Sequence, residues 1–522
     1  MRILLALFSL VLLWPTASQA EPVDRVCGRE LPITKENSTL HLRYCGNVDL
    51  ATANSKITTL VVSVHGTSRT AYSYWKSMEA AAGKAGVKST TAVVAPQFLR
   101  DEDHGQPEYN AAGTATGTKL DLARADKNVL YWDDNWHHGE VSLVSAFSPS
   151  RPFKISSFEA LDRILARAAE LYPNLKRVAI VGHSAGGQLV NRYTPVAVLP
   201  SIPGAKFIFG PTNPSSHMYW DEKRPVQPIK GPVTFAVPDG SWCPASPKSL
   251  SGYDRYRYAT GPYPGVNFTE HMKTIGLDKM RQNYKDRITV PFIGLDDNDP
   301  NDSSMGTSCP NLVQGRHRLE RAEAYLEHIK NYFGWSKFAQ TRPVYAPGCA
   351  HSGYCIWSSP CGLYEIFGTV NADKCANRWA FSDGFEKDFS QWTNSGTGKF
   401  ALSGNRRAEG AYSAEFRGVM KDLTLTSPVI SGAGTYTASW AWWIGSRLDK
   451  GDSIAAQMSV DGGPWKVIDR MEGDVHPENR WIYSGISVKV AKSLRLRFVV
   501  NANASNEEAY LDDVRVIHRK GL

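Results

Sequence analysis

The chain has 522 residues, 42% of them hydrophobic and 21% charged, with a formal net charge of +8. That length exceeds one ordinary domain, and the composition excludes a disordered or low-complexity chain. The basic surplus is modest and scattered along the sequence, which argues against a nucleic-acid partner.

In chain order, Met1-Arg2, an apolar run over residues 3–14 and Ser18-Gln19-Ala20 form the three parts of a secretory signal over residues 1–20, with cleavage predicted after Ala20. The run is shorter than a bilayer span and no other segment approaches one, so the mature chain is expected to be secreted (extracellular or periplasmic) with no membrane partner. Export sets the reading of the eight cysteines, which all precede Trp379. Four disulfides are expected rather than zinc, because no close Cys-x-x-Cys pairs occur. Proximity suggests Cys27–Cys45, Cys349–Cys355 and Cys361–Cys375, leaving Cys243 with Cys309, although connectivity does not follow from spacing.

Residues 59–64 read as a buried strand running into His65-Gly66-Thr67-Ser68, with a helix over 71–85 and another strand over 90–95. A Gly-containing loop between strand and helix suits an oxyanion donor, and the N–H of Thr67 is the candidate. Residues 101–151 form a polar, glycine-rich insertion holding Trp132, Trp136, His137 and His138. A metal site with Asp133 and Asp134 is the lesser reading there, since adjacent histidines point in different directions. Ser156 and Glu159 make a capping box for an amphipathic helix reaching Tyr172.

Next comes an apolar strand over 177–181 that enters Gly182-His183-Ser184-Ala185-Gly186 and then a helix. Gly-x-Ser-x-Gly between strand and helix is the pattern of a nucleophile elbow, a turn so tight that only small residues fit two places either side of the serine. Ser184 is therefore the candidate nucleophile, and the N–H of Ala185 at the helix start is the second candidate oxyanion donor. A strand over 206–210 follows. Residues 211–284 are aromatic and aperiodic, the texture of a cap over a site, with Tyr219, Trp220, Trp242, Tyr253 and Tyr263 as candidates for a binding wall.

A strand over 288–295 ends in Asp296, Asp297, Asp299 and Asp302; a helix is expected over 314–333 and a last strand over 342–345, before Pro347-Gly348-Cys349-Ala350-His351. Calcium binding is a lesser reading of the acidic loop. Strands alternate with helices and are continuously apolar, so an α/β fold with a mostly parallel sheet covered on both faces is predicted. A serine nucleophile needs a base and an acid, and serine, acid, histidine is the chain order of α/β-hydrolases. His351 is the candidate base. Asp297 is preferred as the acid, ahead of Asp299 and Asp296, and no metal or cofactor is called for.

Several of these stretches resemble a family of secreted α/β-hydrolase-fold proteins found in fungi and bacteria. The resemblance covers about residues 27–354 and rests on His65-Gly66-Thr67-Ser68-Arg69, Ala95-Pro96-Gln97-Phe98, Gly182-His183-Ser184-Ala185-Gly186-Gly187-Gln188, Asn213-Pro214-Ser215-Ser216, Gln314-Gly315-Arg316-His317-Arg318 and Pro347-Gly348-Cys349-Ala350-His351. In that family the acid follows a Leu-Gly-x-x-Asp pattern, and Ile293-Gly294-Leu295-Asp296-Asp297 matches in a way that favours Asp297. Its base loop reads Pro-Gly-x-Gly-His, where this chain has Ala350 in place of the second glycine and Cys349 beside it, which suggests a disulfide-braced loop.

From Phe381 the texture turns to short alternating runs with closely spaced turns, a β-sandwich signature. Phe381-Ser382-Asp383-Gly384-Phe385-Glu386, Gly410-Ala411-Tyr412-Ser413 and Leu511-Asp512-Asp513-Val514 resemble jelly-roll domains related to MAM and carbohydrate-binding modules, which often bind glycans. Residues 454–467 read as a hairpin turning at Asp461-Gly462-Gly463. Trp440, Trp442, Trp443, Trp465 and Trp481 are candidates for a sugar-stacking face, with core packing the plainer alternative, and calcium near Asp383, Glu386 and Asp512 is a minor expectation. The expected plan is a signal over 1–20, a hydrolase domain over 21–378 and a sandwich over 379–522. The expected activity is a serine esterase acting on a polymeric or small ester, with a glycan as possible partner of the tail. Peptidase or amidase action, or a non-catalytic binding protein, are the alternatives.

Overall fold

The structure is a computed structural model that describes residues 21–229, 233–243, 250–261, 265, 267–368, 380–408 and 410–519. The expected signal segment, Tyr263, Cys375 and Trp379 lie outside the described residues.

The first unit is built on one sheet. Its main strands are β1 (Arg29–Lys35), β2 (Ser38–Gly46), β3 (Thr59–Val64), β4 (Thr91–Pro96), β5 (Arg177–His183), β6 (Lys206–Thr212), β7 (Phe292–Gly294) and β8 (Val344–Ala346). They lie in the order β1-β2-β4-β3-β5-β6-β7-β8. β1–β2 and β2–β4 pair antiparallel, and every later pairing is parallel. Helices α1 (Ala71–Lys84), α2 (Ser157–Leu171), α3 (Ala185–Tyr193), α4 (Arg318–Phe333), α5 (Trp335–Gln340) and α6 (Gly353–Trp357) surround it. Both faces of the central strands are buried. Leu60, Val62, Val178 and Ile180 face α2 and α3 in one core, while Val61, Ala179 and Val181 face Trp75 and Met78 of α1 in another. Such two-sided burial is why these strands read as unbroken apolar runs.

Two features were not legible. β1 alternates buried with more exposed residues at the sheet edge, and β2, inside it, is interrupted by His41 and Arg43, so neither has the apolar run that marked the others. The strand expected over 288–295 is split into Ile288–Thr289 and β7, because Pro291 has no N–H to give the ladder. α4 begins at Arg318, four residues later than expected. Cys27–Cys45, Cys243–Cys309 and Cys349–Cys355 are joined as proximity suggested. Cys361 is also disulfide-bonded, and its expected partner is outside the described residues.

The second unit is all antiparallel: β9 (Phe381–Asp383), β10 (Thr393–Ser403), β11 (Ser413–Thr426), β12 (Ile430–Ser431), β13 (Gly434–Ile444), β14 (Ser453–Val460), β15 (Lys466–Glu472), β16 (Ile482–Val490), β17 (Ser493–Ala502) and β18 (Glu508–Arg519). The long β11 pairs with β17 along one half and with β18 along the other, so the sheet folds into a sandwich around one core. The expected hairpin is β14–β15, with Asp461 and Gly462 both at positive φ in its turn.

The proposed tryptophan face is corrected here. Trp440, Trp442 and Trp443 are 1%, 1% and 2% exposed. Trp440 and Trp442 fill the sandwich core, whereas Trp443 lies under the Arg406 guanidinium. Only Trp465 and Trp481 of that set reach the surface. The minor calcium expectation is corrected too, since Asp383, Glu386 and Asp512 spend their carboxylates on the N–H groups of Phe385, Ala411, Tyr412 and Ala408. The sandwich docks on the α4–α5 corner of the first unit, where Arg515 donates to the Ala339 carbonyl and Lys330 to Ser487 Oγ.

Candidate active site

Ser184 is the N-cap of α3 and has φ 58°, a left-handed conformation that a non-glycine residue holds only under constraint from its surroundings. The turn is closed by glycines. A Cβ on Gly182 would sit 2.3 Å from the Gly186 carbonyl oxygen, and one on Gly186 would sit 2.4 Å from that of Val64. Strand, turn and helix thus approach closer than any side chain permits, and the serine hydroxyl is carried to the carboxyl end of the parallel strands.

His65 organises the preceding loop. Its Nε2 accepts the Phe98 N–H, so the ring proton is on Nδ1, where it faces the Gly66 carbonyl at 2.9 Å. Complete burial lowers its pKa to about 3 and keeps the ring neutral. The Arg69 N–H also donates to the Gly66 oxygen. In a trans peptide C=O and N–H point in opposite directions, so anchoring that carbonyl turns the Thr67 N–H away from His65. Thr67, Ser184 and Ala185 line one cavity of about 340 Å³. Among the described residues the N–H groups of Thr67 and Ala185 have no intramolecular acceptor.

After β7, Asp297 is buried at 4% exposure while Asp296 and Asp299 are exposed. His351 Nδ1 donates to Asp297 Oδ2 at 2.7 Å. The other carboxylate oxygen accepts Arg318 Nη1 at 3.0 Å, and Arg318 also donates from Nη2 to Ser304 Oγ. Asn213, at φ 40° just past β6, ties these loops together: its Oδ1 accepts the Gly294 N–H and its Nδ2 donates to the Ala350 carbonyl. The Cys349–Cys355 disulfide brackets His351. The His351 ring lies 4.3 Å from that of His183, the residue before Ser184. Burial raises Tyr74 to about 12, so its hydroxyl stays protonated, and it shares a 2.9 Å hydrogen bond with His183 Nδ1. Among the described residues no hydrogen bond joins His351 to Ser184; such bonds often tighten only with substrate in place.

The sequence thus pointed at Ser184, Asp297, His351, Thr67 and Ala185, and the fold brings them to one end of the sheet. It gave no role to Arg318, Asn213 or Tyr74, because no local pattern sets a polar side chain apart when its partner lies far along the chain. The expected binding wall is corrected: Tyr219 and Trp220 are core residues and neither lines this cavity. Tyr258 lines it instead, with His137, His138, Gln188, Ser303 and Asn311. A larger cavity of about 810 Å³ by Lys35, Asp162 and His271 touches none of the candidate residues.

The model of the family described as "Alpha/beta hydrolase family" matches residues 61–364, more than half of the chain. The chain belongs to the alpha/beta hydrolase family. Solved structures similar to this chain include poly(aspartic acid) hydrolase-1 from Sphingomonas sp. KT-1, at 17% identity and TM-score 0.38, covering 65% of this chain and 99% of that one. The C-terminal family 22 carbohydrate binding module of Clostridium thermocellum Xyn10B is similar at 17% identity and TM-score 0.22, covering 28% of this chain and 98% of the module. The CBM22-1 xylan-binding domain from Paenibacillus barcinonensis Xyn10C is similar at 14% identity and TM-score 0.21, over 28% and 96%. No curated protein matches the chain.

Proposed function

We propose that the chain is a secreted serine hydrolase that cleaves a carboxylic ester through an acyl-enzyme. The observation that carries this reading is the 2.7 Å bond from His351 Nδ1 to Asp297 Oδ2, at the same sheet end as the strained Ser184. With Nδ1–H committed to Asp297, Nε2 is the ring's basic nitrogen. It takes the proton from Ser184 as Oγ attacks the ester carbonyl, and Asp297 steadies the imidazolium that forms. The carbonyl oxygen becomes an oxyanion in reach of the N–H groups of Thr67 and Ala185. Collapse expels the alcohol, protonated by His351, and water admitted to the same base then releases the acid and frees Ser184. The three disulfides joined among the described residues, with Cys361 disulfide-bonded as well, support an oxidising compartment. Among the described residues no helix is long and apolar enough to cross a membrane.

The cavity favours a polar substrate. His137, His138, Gln188, Ser303 and Asn311 offer donors and acceptors where an aliphatic chain would need apolar walls. Nδ1 of both histidines is buried without a partner, and burial lowers both pKa values, so they meet a ligand as neutral rings. An acylated polysaccharide fits such a lining better than an aliphatic polyester, and the appended sandwich is a second surface for the same polymer.

The reading is tested with a fluorophosphonate probe and intact-mass analysis of the folded protein. One adduct, located on Ser184 and absent from Ser184→Ala, is expected; a folded protein that takes up no probe sinks the proposal. A panel of acetylated and feruloylated glycans, aliphatic polyesters and peptides then ranks the substrate classes.

A further inference from the structure

At one end of the sandwich, far in sequence from the hydrolase site, two turns meet. Residues 449–452 lead into β14 and residues 503–507 lead into β18, and β14 and β17 run side by side there with Ser453 opposite Asn501. Asp449, Asp452 and Glu507 each present a carboxylate oxygen, and the three atoms lie within 4.8 Å of one another. Asp452 and Glu507 are 6% and 0% exposed. Among the described residues no lysine or arginine is ion-paired with any of the three.

A cluster of acids alone says little, since such groups are common on surfaces. Glu507 supplies the independent observation. Its Oε2 accepts the Ala504 N–H at 2.7 Å, which fixes the side chain, while Oε1 is buried with no hydrogen-bond partner. A carboxyl oxygen held out of water and facing only other carboxyl groups is costly unless a cation sits between them. Asp452 Oδ2 is likewise oriented, by Asn503 Nδ2 at 2.8 Å, which leaves the amide oxygen of Asn503 as a further hard donor nearby.

We propose that Asp449, Asp452 and Glu507 bind a calcium ion that clamps the turn before β14 to the turn before β18. All the donors are oxygens, which selects a hard cation. Calcium bonds oxygen at about 2.3–2.6 Å, so a central ion reaches atoms on opposite sides of a cluster roughly 4.6–5.2 Å across, and it accepts six to eight ligands in irregular geometry. Magnesium, at about 2.0–2.1 Å, demands a tighter octahedron and usually takes one or two carboxylates, a poorer match to three. The exposed Asp449 leaves the outer side open to water, which completes a calcium shell. The site neutralises three like charges and holds β14, in one half of the sandwich, to β18, in the other.

The test uses the full chain, stripped with EDTA and dialysed into chelator-treated buffer. Calorimetric titration with calcium chloride is expected to show binding, and 1 mM calcium to raise the sandwich unfolding midpoint by about 5 °C, with magnesium giving less than half of that. Glu507→Gln should lose this shift. Because a core variant can misfold by itself, Asp449→Asn at the exposed position is the second arm: it should fold as wild type, retain soluble-ester turnover and bind calcium at least tenfold more weakly. No calcium-dependent shift in the wild type, or an unchanged titration in Asp449→Asn, overturns the proposal.

Discussion

Arg318 Nη1 donates to Asp297 Oδ1 at 3.0 Å, and the two side chains are 0% and 4% exposed. The guanidinium occupies the carboxylate oxygen that His351 does not use, so one cation fixes the orientation of the acid. Arg318→Met removes the charge and leaves Asp297 buried beside its histidine. We expect stability to fall by about 3–5 kcal/mol, the usual cost of stranding one partner of a buried ion pair. The turnover of soluble esters should also fall, because Asp297 loses the contact that orients it. Arg318→Lys, which keeps the charge without the planar fork, should recover part of each. Thermal unfolding and steady-state ester hydrolysis check both.

Asp297→Asn should lower kcat by about 10³–10⁴-fold at unchanged fold, because an amide no longer holds the imidazole in the required tautomer. Asp296→Asn and Asp299→Asn remove exposed carboxylates and should stay within about twofold of wild type. Steady-state ester hydrolysis by the three variants decides between the acids.

The elbow tolerates no added carbon. A Cβ on Gly186 meets the carbonyl oxygens of Val64 and His65 at 2.4 and 2.5 Å, and these are backbone atoms that cannot swing away. Gly186→Ala is expected to cost several degrees of melting temperature, and probe labelling of Ser184 should drop by at least tenfold in whatever folds. Gly83→Ala, at a position with open space, is the control and should be neutral or stabilising.

Cys349 and Cys355 are only 6 residues apart, so the chain-entropy contribution of their bond is about 2 kcal/mol, against about 4 for Cys243–Cys309 with a separation of 66. Its position around His351 matters more than its size. The double Cys349→Ser, Cys355→Ser variant should lose about tenfold or more in kcat for a small fall in melting temperature, while the Cys243/Cys309 double variant should show the larger fall in melting temperature. Calorimetry with kinetics on each reads the contrast.

Lys337 in α5 is fully buried, its ammonium facing the Arg287 carbonyl and the Tyr284 ring. Burial lowers its pKa to about 7 from the ordinary 10.5. A lysine depressed in the folded state favours folding most above the unfolded pKa and loses that contribution as pH falls toward the folded one. Wild-type stability should therefore decline between about pH 10 and 7. Lys337→Met should flatten this slope, with its advantage growing as pH falls through that window and levelling off below 7. Denaturant unfolding at stepped pH measures it.

The buried strands announced themselves through unbroken apolar runs, and the elbow through two glycines whose need is local. Serine, acid and histidine kept their order along the chain, because loops after parallel strands emerge on one side of the sheet. Within the acidic stretch after β7 the sequence preferred Asp297, but what sets it apart from Asp296 and Asp299 is burial, which is fixed by how α4 and the base loop pack over it. Residue type misled for the tryptophans, since alternation along β13 turns Trp440 and Trp442 inward whatever a large aromatic could bind at a surface.

What the sequence by itself determined is the parallel-sheet hydrolase framework, the nucleophile turn, the disulfide-bearing character and the appended β-sandwich, all properties of periodicity, glycine placement and order within short windows. The tertiary structure alone decided that the Asp297 carboxylate meets the His351 ring, that Arg318 and Asn213 hold these loops, that the cavity is polar, and that Asp449 lies beside Glu507. Those are contacts between residues tens of positions apart, made by the paths of intervening loops. A hydrogen bond needs its two atoms about 3 Å apart, and no local pattern carries that distance.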